Sequence, residues 1–356
     1  MQGTDHHQDI MAQVQAALAE NQPLRLQGGN SKGFYGHLSH NDKILDMGAH
    51  QGILRYDAHE LVITARAGTK LSDIEATLSE KGQMLGFEPP ILPNATLGGN
   101  FACGFAGPRR PFAGAMRDSV LGIGMINGHG EALRFGGEVI KNVAGYDISR
   151  LQCGALGSMG VMTQISLKTI PKPKASLTLR QSCDMESALL LMRAWQDEKL
   201  PTSANLYRDG QCYLRLCGHD KTLEKAMRRL ALKTTDDEIW QRIRNQELDF
   251  FNQIQDDEII LRVILPYHAP PLTQYPTQMI EWGGQLRWVK TKRVLSQVRA
   301  ELAPYQAQAT LYKYGKKVEE IGPRFPPLAA PLAAIQDRLR QAFDPKQIFN
   351  RDIMTR

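Results

Sequence analysis

The stretch "LRLQGGNSKGFYG", residues 24–36, decides how the fold is interpreted, because an apolar strand-like run leads directly into closely spaced glycines. A strand followed by such a loop is typical of phosphate-binding sites. The dinucleotide fingerprint, however, requires glycine at its second position, where Asn30 stands. The P-loop requires Lys-Ser or Lys-Thr after its last glycine, whereas Phe34 follows Gly33. The loop therefore argues against both of these familiar nucleotide-binding folds.

The same loop has the composition of an anion-binding nest. Two adjacent glycines followed by Asn30, Ser31, Lys32 and Gly33 allow successive backbone N–H groups to turn inward. Ser31 adds a hydroxyl group and Lys32 adds a positive charge. A plain tight turn explains this composition equally well, so the loop alone leaves both interpretations open.

Length and composition describe a soluble globular protein of 356 residues, of which 42% are apolar and 22% charged. A chain of this length is expected to form two domains. The net charge of +6 includes no long basic run, which argues against a nucleic-acid partner. Five scattered cysteines predict reduced thiols and no metal site. Without a signal-peptide pattern or about 18 consecutive apolar residues, we expect contact with a membrane only through partners.

Periodicity predicts the order of the elements. In the first 90 residues we expect a helix over 8–20, strands at "LRLQ", "ILDMG" and "LVITARAG", and a helix at "KLSDIEATLSEKG". Glycine becomes frequent over 91–171, and "VLGIGMINGHGEALRFGG" predicts a β-hairpin around Asn127 and Gly128. "PKPKAS", residues 171–176, has the composition of a linker. Beyond it, helices alternate with strands, as in an α/β sandwich.

Three further stretches carry glycines at suggestive positions. In "PPILPNATLGGNFACG", Gly98 and Gly99 allow the main chain to approach a flat or phosphorylated ligand. The segment "RDSVLGIGMINGHGEALRFGG" is followed by "KNVAGYDISRL". In "CGALGSMGVMTQISL" three glycines precede a strand, which indicates close packing against a ligand or another backbone.

Taken in order over about residues 20–173, these stretches resemble the FAD-binding domain of the vanillyl-alcohol-oxidase and p-cresol-methylhydroxylase superfamily. Within it, "GPRRPFAGAMRDSVLG" and "KNVAGYDISRL" together are similar to the FAD-binding subunits of bacterial glycolate oxidases. The tail "FDPKQIFN" resembles the closing element of the superfamily, although Arg351 and Asp352 stand where relatives have Pro-Gly. The resemblance implies an α+β fold that begins with an FAD-binding domain over 1–173. This domain is of p-cresol-methylhydroxylase type, not Rossmann, and has two subdomains, about 1–90 and 91–173. An α/β-sandwich cap domain follows over 174–335, and a C-terminal helix and tail over 336–356 return to the FAD domain.

The resemblance also implies which residues hold the cofactor. It assigns the pyrophosphate to Gly28, Gly29, Asn30, Ser31 and Gly33. It assigns the ribityl and isoalloxazine region to Pro93, Thr96, Leu97, Gly98, Gly99 and Asn100, with Gly104 beyond them, and further dinucleotide contacts to Gly154, Gly157, Gly160 and Val161. Arg117 and Asp118 are either ligand contacts or a structural ion pair.

Two departures from the superfamily concern the chemistry. Some relatives attach FAD covalently through a histidine in the glycine loop or a cysteine in the stretch that corresponds to "PPILPNATLGGNFACG", which we call the second glycine stretch. Here the loop has no histidine, and Cys103 in the second glycine stretch is more simply explained as a small apolar side chain that fills space in the core. We therefore expect non-covalent FAD. Relatives that oxidise 2-hydroxy acids often carry "G-H-x-G-D-G-N-x-H", whereas the cap offers only the isolated His219 and His268. The catalytic base is thus unknown, and the alternating residues Arg287, Lys290, Lys292, Tyr312, Lys313 and Tyr314 either bind a carboxylate or lie on the surface.

The resemblance implies a subunit that holds FAD in a complex oxidising glycolate, a small 2-hydroxy acid, to glyoxylate. A sister FAD subunit would supply the base, and electrons would pass to an iron–sulfur subunit. Such a protein is cytoplasmic and reaches the inner membrane face only through the complex. Two alternatives stay open: a self-sufficient FAD-dependent 2-hydroxy-acid dehydrogenase, and a non-catalytic subunit in which FAD is structural or lost.

Overall fold

A computed structural model describes residues 3–37, 39, 41–138, 146–318 and 321–354. Most of the motif "KNVAGYD" lies outside the described residues. The chain forms two compact units: unit 1 comprises Met1–Ala106, Gly114–Lys172 and Pro327–Arg356, and unit 2 comprises Gly107–Ala113 and Pro173–Pro326. The boundaries 1–173, 174–335 and 336–356 stay predictions of the functional domains, and these units differ from them at Pro173, at 107–113 and at 327–335.

The helices end where the local sequence predicts. The first is followed by Asn21 in the left-handed region (φ 51°), and the second is followed shortly by Gly82 (φ 63°). The helices are α1 (His7–Glu20), α2 (Leu71–Glu80), α3 (Leu97–Cys103), α4 (Arg110–Ala113), α5 (Met116–Ser119), α6 (Ile148–Gln152), α7 (Met185–Asp197), α8 (Asp220–Leu230), α9 (Glu238–Arg244), α10 (Asp249–Asn252), α11 (Leu295–Leu302) and α12 (Ala330–Phe343).

The strands pair mostly antiparallel. They are β1 (Leu24–Gln27), β2 (Lys43–Asp46), β3 (Ile53–Asp57), β4 (Val62–Arg66), β5 (Gln83–Met84), β6 (Val120–Ile126), β7 (Ala132–Gly136), β8 (Val161–Lys168), β9 (Ile170–Pro171), β10 (Ala175–Ser182), β11 (Thr202–Arg208), β12 (Gln211–Gly218), β13 (Lys233–Thr235), β14 (Ile259–Ile264), β15 (Gln278–Glu281), β16 (Leu286–Thr291) and β17 (Gln308–Tyr314). In the described part of unit 1, an antiparallel sheet has the order β3-β4-β8-β6-β7, β1 lies parallel to β2, and β5 pairs with β9. Unit 2 contains an antiparallel sheet of order β13-β10-β12-β11-β15-β16-β14-β17. This mixture of helices and mainly antiparallel sheets confirms the predicted α+β class.

The predicted hairpin of β6 and β7 is present, but its connection is longer than a two-residue turn. Residues 127–131 form the loop, closed by a hydrogen bond from the Asn127 N–H to the Glu131 carbonyl, and the left-handed residue is Gly130. Gly128 serves another purpose. A Cβ there would lie 2.5 Å from a carboxylate oxygen of Asp344, because the C-terminal tail packs against this loop.

Two apolar clusters support the two faces of unit 1. One packs α2 and α3 against the five-stranded sheet and includes Ile63, Leu78 and Phe101. The other joins α1, β1 and the C-terminal tail through residues such as Val14 and Phe349. The second cluster fixes the strand from which the glycine loop emerges.

Segment 107–113 belongs to unit 2 for a physical reason. The Trp282 indole is buried and donates its N–H to the Gly107 carbonyl at 3.1 Å. The Arg110 guanidinium lies 4.5 Å from the centroid of the same ring, within the range of a cation–π interaction. These contacts hold the segment in unit 2, although its sequence neighbours on both sides lie in unit 1.

Candidate functional site

A cavity whose empty space, including the solvent at its open mouth, is about 980 Å³ lies within unit 1. Its walls come from the loop that follows β1, from α3 with the residue that precedes it, and from the glycine segment that leads into β8. The predicted site residues that line the cavity are Gly28, Gly29, Asn30, Ser31, Gly33, Thr96, Gly98, Gly99, Gly157, Gly160 and Val161.

Other predicted residues do not line the cavity, and instead pack or form hydrogen bonds next to the residues that do. Leu97 is buried in the apolar cluster beside α2. The Asn100 side-chain N–H group donates to the Phe105 carbonyl at 3.1 Å, and Gly104 ends α3 in the left-handed region. Gly154 donates its N–H to the Phe101 carbonyl at 3.0 Å. Cofactor contact by these residues stays a prediction.

The remaining predicted residues lie in turns and at the surface. Pro93 lies within the turn closed by the Ala95 N–H and the Leu92 carbonyl, at 2.9 Å. Arg117 and Asp118 form an exposed ion pair at 4.0 Å, and the Asp118 carboxylate also accepts from the Ala115 N–H at 2.9 Å. The structure thus gives this pair a local structural role at the start of α5, and ligand contact stays a prediction.

The glycine loop is held by two internal turns that leave most of its amides unused. The Gly33 N–H donates to the Asn30 carbonyl and the Tyr35 N–H to the Lys32 carbonyl, at 3.3 and 2.9 Å. Asn30 adopts a left-handed conformation with φ 52°. Within the described ranges, the backbone N–H groups of residues 28–32 donate to no protein acceptor. Such a run of free amides provides the donors of an anion-binding nest.

The glycines of this loop are required by close backbone packing. A Cβ on Gly29 would lie 1.6 Å from the Asn94 carbonyl oxygen, and a Cβ on Gly28 would lie 2.4 Å from Thr96 Oγ1. Real Cβ atoms essentially never approach other atoms so closely, so a side chain at either glycine would displace Asn94 or Thr96 of the second glycine stretch. The absence of side chains therefore brings the first and second glycine stretches together around the cavity.

The charged side chains in the described lining of the cavity are all positive. The described residues that line it include Arg25 and Lys32 but no aspartate, glutamate or histidine. Lys32 is only 8% exposed, and burial lowers the pKa of its ammonium group. Burial also raises the pKa of the neighbouring Cys103 thiol to about 11, so that thiol supplies no negative charge at neutral pH.

Two further polar groups of the lining lack protein partners. Arg25 Nε and Gln152 Nε2 are buried, and neither has a hydrogen-bond acceptor among the described residues. Buried polar atoms are normally paired, so unpaired donors in a cavity wall indicate a ligand that supplies acceptors. Donor groups and positive charge together fit an anionic ligand rich in oxygen atoms.

Several lining residues were not predicted from the sequence, and the C-terminal tail contributes two of them, Asn350 and Ile353. The Leu26 N–H donates to Asn350 Oδ1 at 2.9 Å across 324 residues, and Asn350 Nδ2 donates to the Leu156 carbonyl at 2.6 Å. The tail motif signalled a return to this unit, but only the folded chain identifies the contacts. From the sequence, Lys32 is expected only to add a charge to the loop, and the resemblance does not assign it to the site.

The charged strand residues of the predicted cap are engaged by the protein itself. Arg287 is fully buried and donates to the Ala269, Pro270 and Gly284 carbonyls, and burial lowers its pKa to about 10. The other members also have partners: Lys290 donates to the Gln253 carbonyl, Lys292 pairs with Asp257, Lys313 donates to the Phe251 carbonyl, Tyr312 bonds to Gln246, and Tyr314 accepts from Arg324. These contacts favour the structural interpretation over a carboxylate site.

Two features are absent from the described part of the chain. No group of three or more histidine, cysteine or acidic residues is arranged to hold a metal ion. No helix in those ranges combines the length and apolar character needed to span a lipid bilayer.

Comparison with known proteins gives the cavity a chemical context. Residues 4–136 match the family described as "FAD binding domain". "Glycolate oxidase subunit GlcE" of Escherichia coli (strain K12) is 42% identical over 347 residues, which cover 97% of this chain and 96% of that protein. "Glycolate oxidase subunit GlcD" of Bacillus subtilis (strain 168) is 34% identical over 127 residues, 36% of this chain and 27% of that protein.

A solved structure extends the comparison to the fold. Alkyldihydroxyacetonephosphate synthase superposes with a TM-score of 0.70 at 13% identity, covering 98% of this chain and 76% of that chain. This likeness concerns the fold alone. Together with the matched FAD-binding family, it confirms a p-cresol-methylhydroxylase-type fold and not a Rossmann fold.

The residues around the cavity fit FAD. The free amides of 28–32 and the Lys32 ammonium suit a diphosphate, and apolar lining residues such as Met47, Phe101 and Met162 suit a flat ring system. The match to an FAD-binding family and the full-length identity to the Escherichia coli protein agree with this chemistry. The chain therefore belongs to the family of glycolate oxidase subunits represented by that protein.

Proposed function

We propose that this chain is the FAD-holding subunit of a glycolate oxidase complex that oxidises glycolate to glyoxylate. Similarity along 97% of the chain to a protein named as such a subunit supports the assignment. The observation that carries it is the cavity of unit 1, which offers free amides and positive charge and is lined by no described acidic residue. FAD supplies the redox chemistry, and the chain's residues bind and orient it.

The FAD is held without a covalent bond. The described lining residues include no histidine, and Cys103 is the only cysteine among them. Because burial raises the Cys103 pKa to about 11, the thiol stays protonated at neutral pH and is a poor nucleophile. The predicted residues Gly28, Gly29, Asn30 and Ser31 bind the diphosphate through their backbone amides, and Gly33, whose N–H closes a turn with the Asn30 carbonyl, shapes the loop around it. The other predicted site residues shape the wall of the cavity or support it from behind.

Removal of the α-proton of glycolate is assigned to another subunit. A general base needs a pKa near the operating pH. The described residues that line the cavity include no histidine, aspartate or glutamate, the side chains that most often serve as general bases. This composition supports a sister FAD subunit as the site of substrate oxidation, with an iron–sulfur subunit as the electron acceptor. The complex accounts for any contact with the inner membrane face, and this chain itself stays cytoplasmic.

The test is the visible spectrum of the purified chain, alone and with its candidate partner subunits, before and after anaerobic addition of glycolate. We expect flavin absorbance in both samples and bleaching by glycolate only when partners are present. Acid precipitation should leave the yellow colour in the supernatant, because the FAD is not covalently attached.

Two other outcomes would contradict the proposal. Bleaching of the isolated chain by glycolate would identify a self-sufficient 2-hydroxy-acid dehydrogenase. A chain that stays colourless in the presence of added FAD would identify a non-catalytic subunit.

A further inference from the structure

Lys32 is a buried cation for which the described chain provides no counter-charge. Its side chain is 8% exposed, and its single recorded hydrogen bond runs from Nζ to Ser31 Oγ at 3.3 Å. None of the ion pairs found among the described residues includes it. Surface lysines behave differently: Lys292 and Lys317 lie 3.0 and 3.3 Å from Asp257 and Asp256. An unpaired buried charge is unfavourable, so its presence requires a reason.

The described residues around Lys32 provide no negative charge either. The cavity that it lines contains no described aspartate or glutamate, and the other cation of the lining, Arg25, adds to the positive potential. Cys103 is close enough to interact electrostatically with Lys32, but it is a neutral thiol. Because no described residue neutralises Lys32, we expect its counter-charge to come from a molecule that enters the cavity.

Lys32 also lies within the loop whose amides are free. It is the last of the five consecutive residues, 28–32, that have no acceptor for their N–H groups within the described ranges, and its own carbonyl closes the turn with Tyr35. A cation placed inside a nest of amides binds phosphate oxygens more strongly than the amides do alone, because charge-assisted hydrogen bonds are about twice as strong as neutral ones.

We infer that Lys32 is the residue by which this chain recognises the phosphate groups of its flavin, with its ammonium paired to the diphosphate of FAD. The inference rests on the proposed FAD-binding function and adds a specificity determinant to it. Phosphorylated flavins are selected over riboflavin by charge, and the backbone amides complete the shell. In the free protein the same charge is a source of instability that binding relieves.

The experiment compares the affinities of the apoprotein for FAD, FMN and riboflavin, measured by flavin fluorescence quenching, in the wild type, Lys32→Met and Lys32→Arg. We expect Lys32→Met to weaken FAD binding about 10- to 100-fold, FMN binding less, and riboflavin binding not at all. Lys32→Arg should retain part of the FAD affinity, because it keeps the charge. The control is Lys43→Met, which removes the same charge from an exposed position on β2 and should leave all three affinities unchanged.

The thermal midpoint of the apoprotein provides a readout that a merely structural lysine would not give. Lys32→Met should melt at a higher temperature than the wild type without FAD, and should gain less from added FAD. If Lys32→Met does not fold, that instability overturns the inference, since the inference requires the uncharged variant to be at least as stable.

Two affinity results would overturn it as well. An unchanged FAD affinity in Lys32→Met would show that the diphosphate does not use the ammonium. An equal loss for riboflavin and FAD would show that Lys32 supports the ring or the loop. A wild-type chain that binds no flavin at all would instead overturn the proposed function, and this inference with it.

Discussion

The glycine loop of unit 1 and the charged strands of unit 2 carry similar donor groups, yet the protein uses them differently. In unit 2, Arg287 directs its guanidinium to three backbone carbonyls, and Lys290 and Lys313 each donate to one. In unit 1, the amides of residues 28–32 and the Lys32 ammonium have no such acceptors in the described chain.

The contrast separates two uses of buried charge. A buried cation whose donors are satisfied by carbonyls stabilises the fold, and its removal leaves those acceptors unpaired. A buried cation without acceptors destabilises the free protein and becomes favourable when a ligand supplies the anion. The two kinds of buried cation cannot be told apart in the sequence, because each is a lysine or an arginine among apolar residues.

The largest expected effect comes from Gly29→Ala, which tests the backbone packing that shapes the nest. Its Cβ would overlap the Asn94 carbonyl oxygen at 1.6 Å, so the two glycine stretches must separate. We expect loss of FAD binding and about 3 kcal/mol of destabilisation in urea unfolding. The control is Gly137→Ala, where an added Cβ meets nothing within 4 Å. Wild-type FAD affinity in Gly29→Ala would show that this packing is not needed.

The next effect concerns Arg287→Met, which removes a satisfied buried cation from unit 2. Three carbonyl acceptors would lose their donor, so unfolding should become easier by about 2 kcal/mol, while FAD affinity should stay at the wild-type value. Lys292→Met, at an exposed ion pair, is the control and should change stability little. The comparison would fail if Arg287→Met weakened FAD binding while leaving stability unchanged.

Much of the architecture could be predicted from local signals. The apolar periodicity of α1 and the alternation in β8 mark a helix and a strand, and both are present. The glycine-rich composition of "PPILPNATLGGNFACG" predicts no helix, yet this stretch contains α3, capped by Thr96 and ended by Gly104. Adjacent Gly98 and Gly99 lower helix propensity, and the two caps together with burial of the helix overcome that effect.

The cavity could be predicted only in part, because its specific contacts are long-range. The glycines that form its wall were found by their order along the chain. Asn350, in contrast, reaches Leu26 across 324 residues, a pairing that no local pattern encodes. The role proposed for Lys32 likewise depends on the absence of acidic residues from the described lining of the cavity, which becomes visible only when distant segments are folded together.

The smallest expected effect is a pH dependence that distinguishes an unsatisfied cation from a satisfied one. Burial lowers the pKa of Lys32 below its ordinary value of 10.5, so between these two values the unfolded chain binds more protons than the folded apoprotein. Folding stability due to this residue therefore rises with pH across that window. Below this pH window, the folded apoprotein carries the full penalty of the buried charge, and Lys32→Met should be more stable than the wild type by about 1 kcal/mol.

Urea unfolding of both apoproteins from about pH 7 upward should show this difference in stability shrinking as the pH approaches 10.5. Bound FAD should abolish the trend, because it holds the proton on Lys32. A constant difference at every pH would mean that burial does not destabilise the Lys32 ammonium in the free protein, and would contradict the inference.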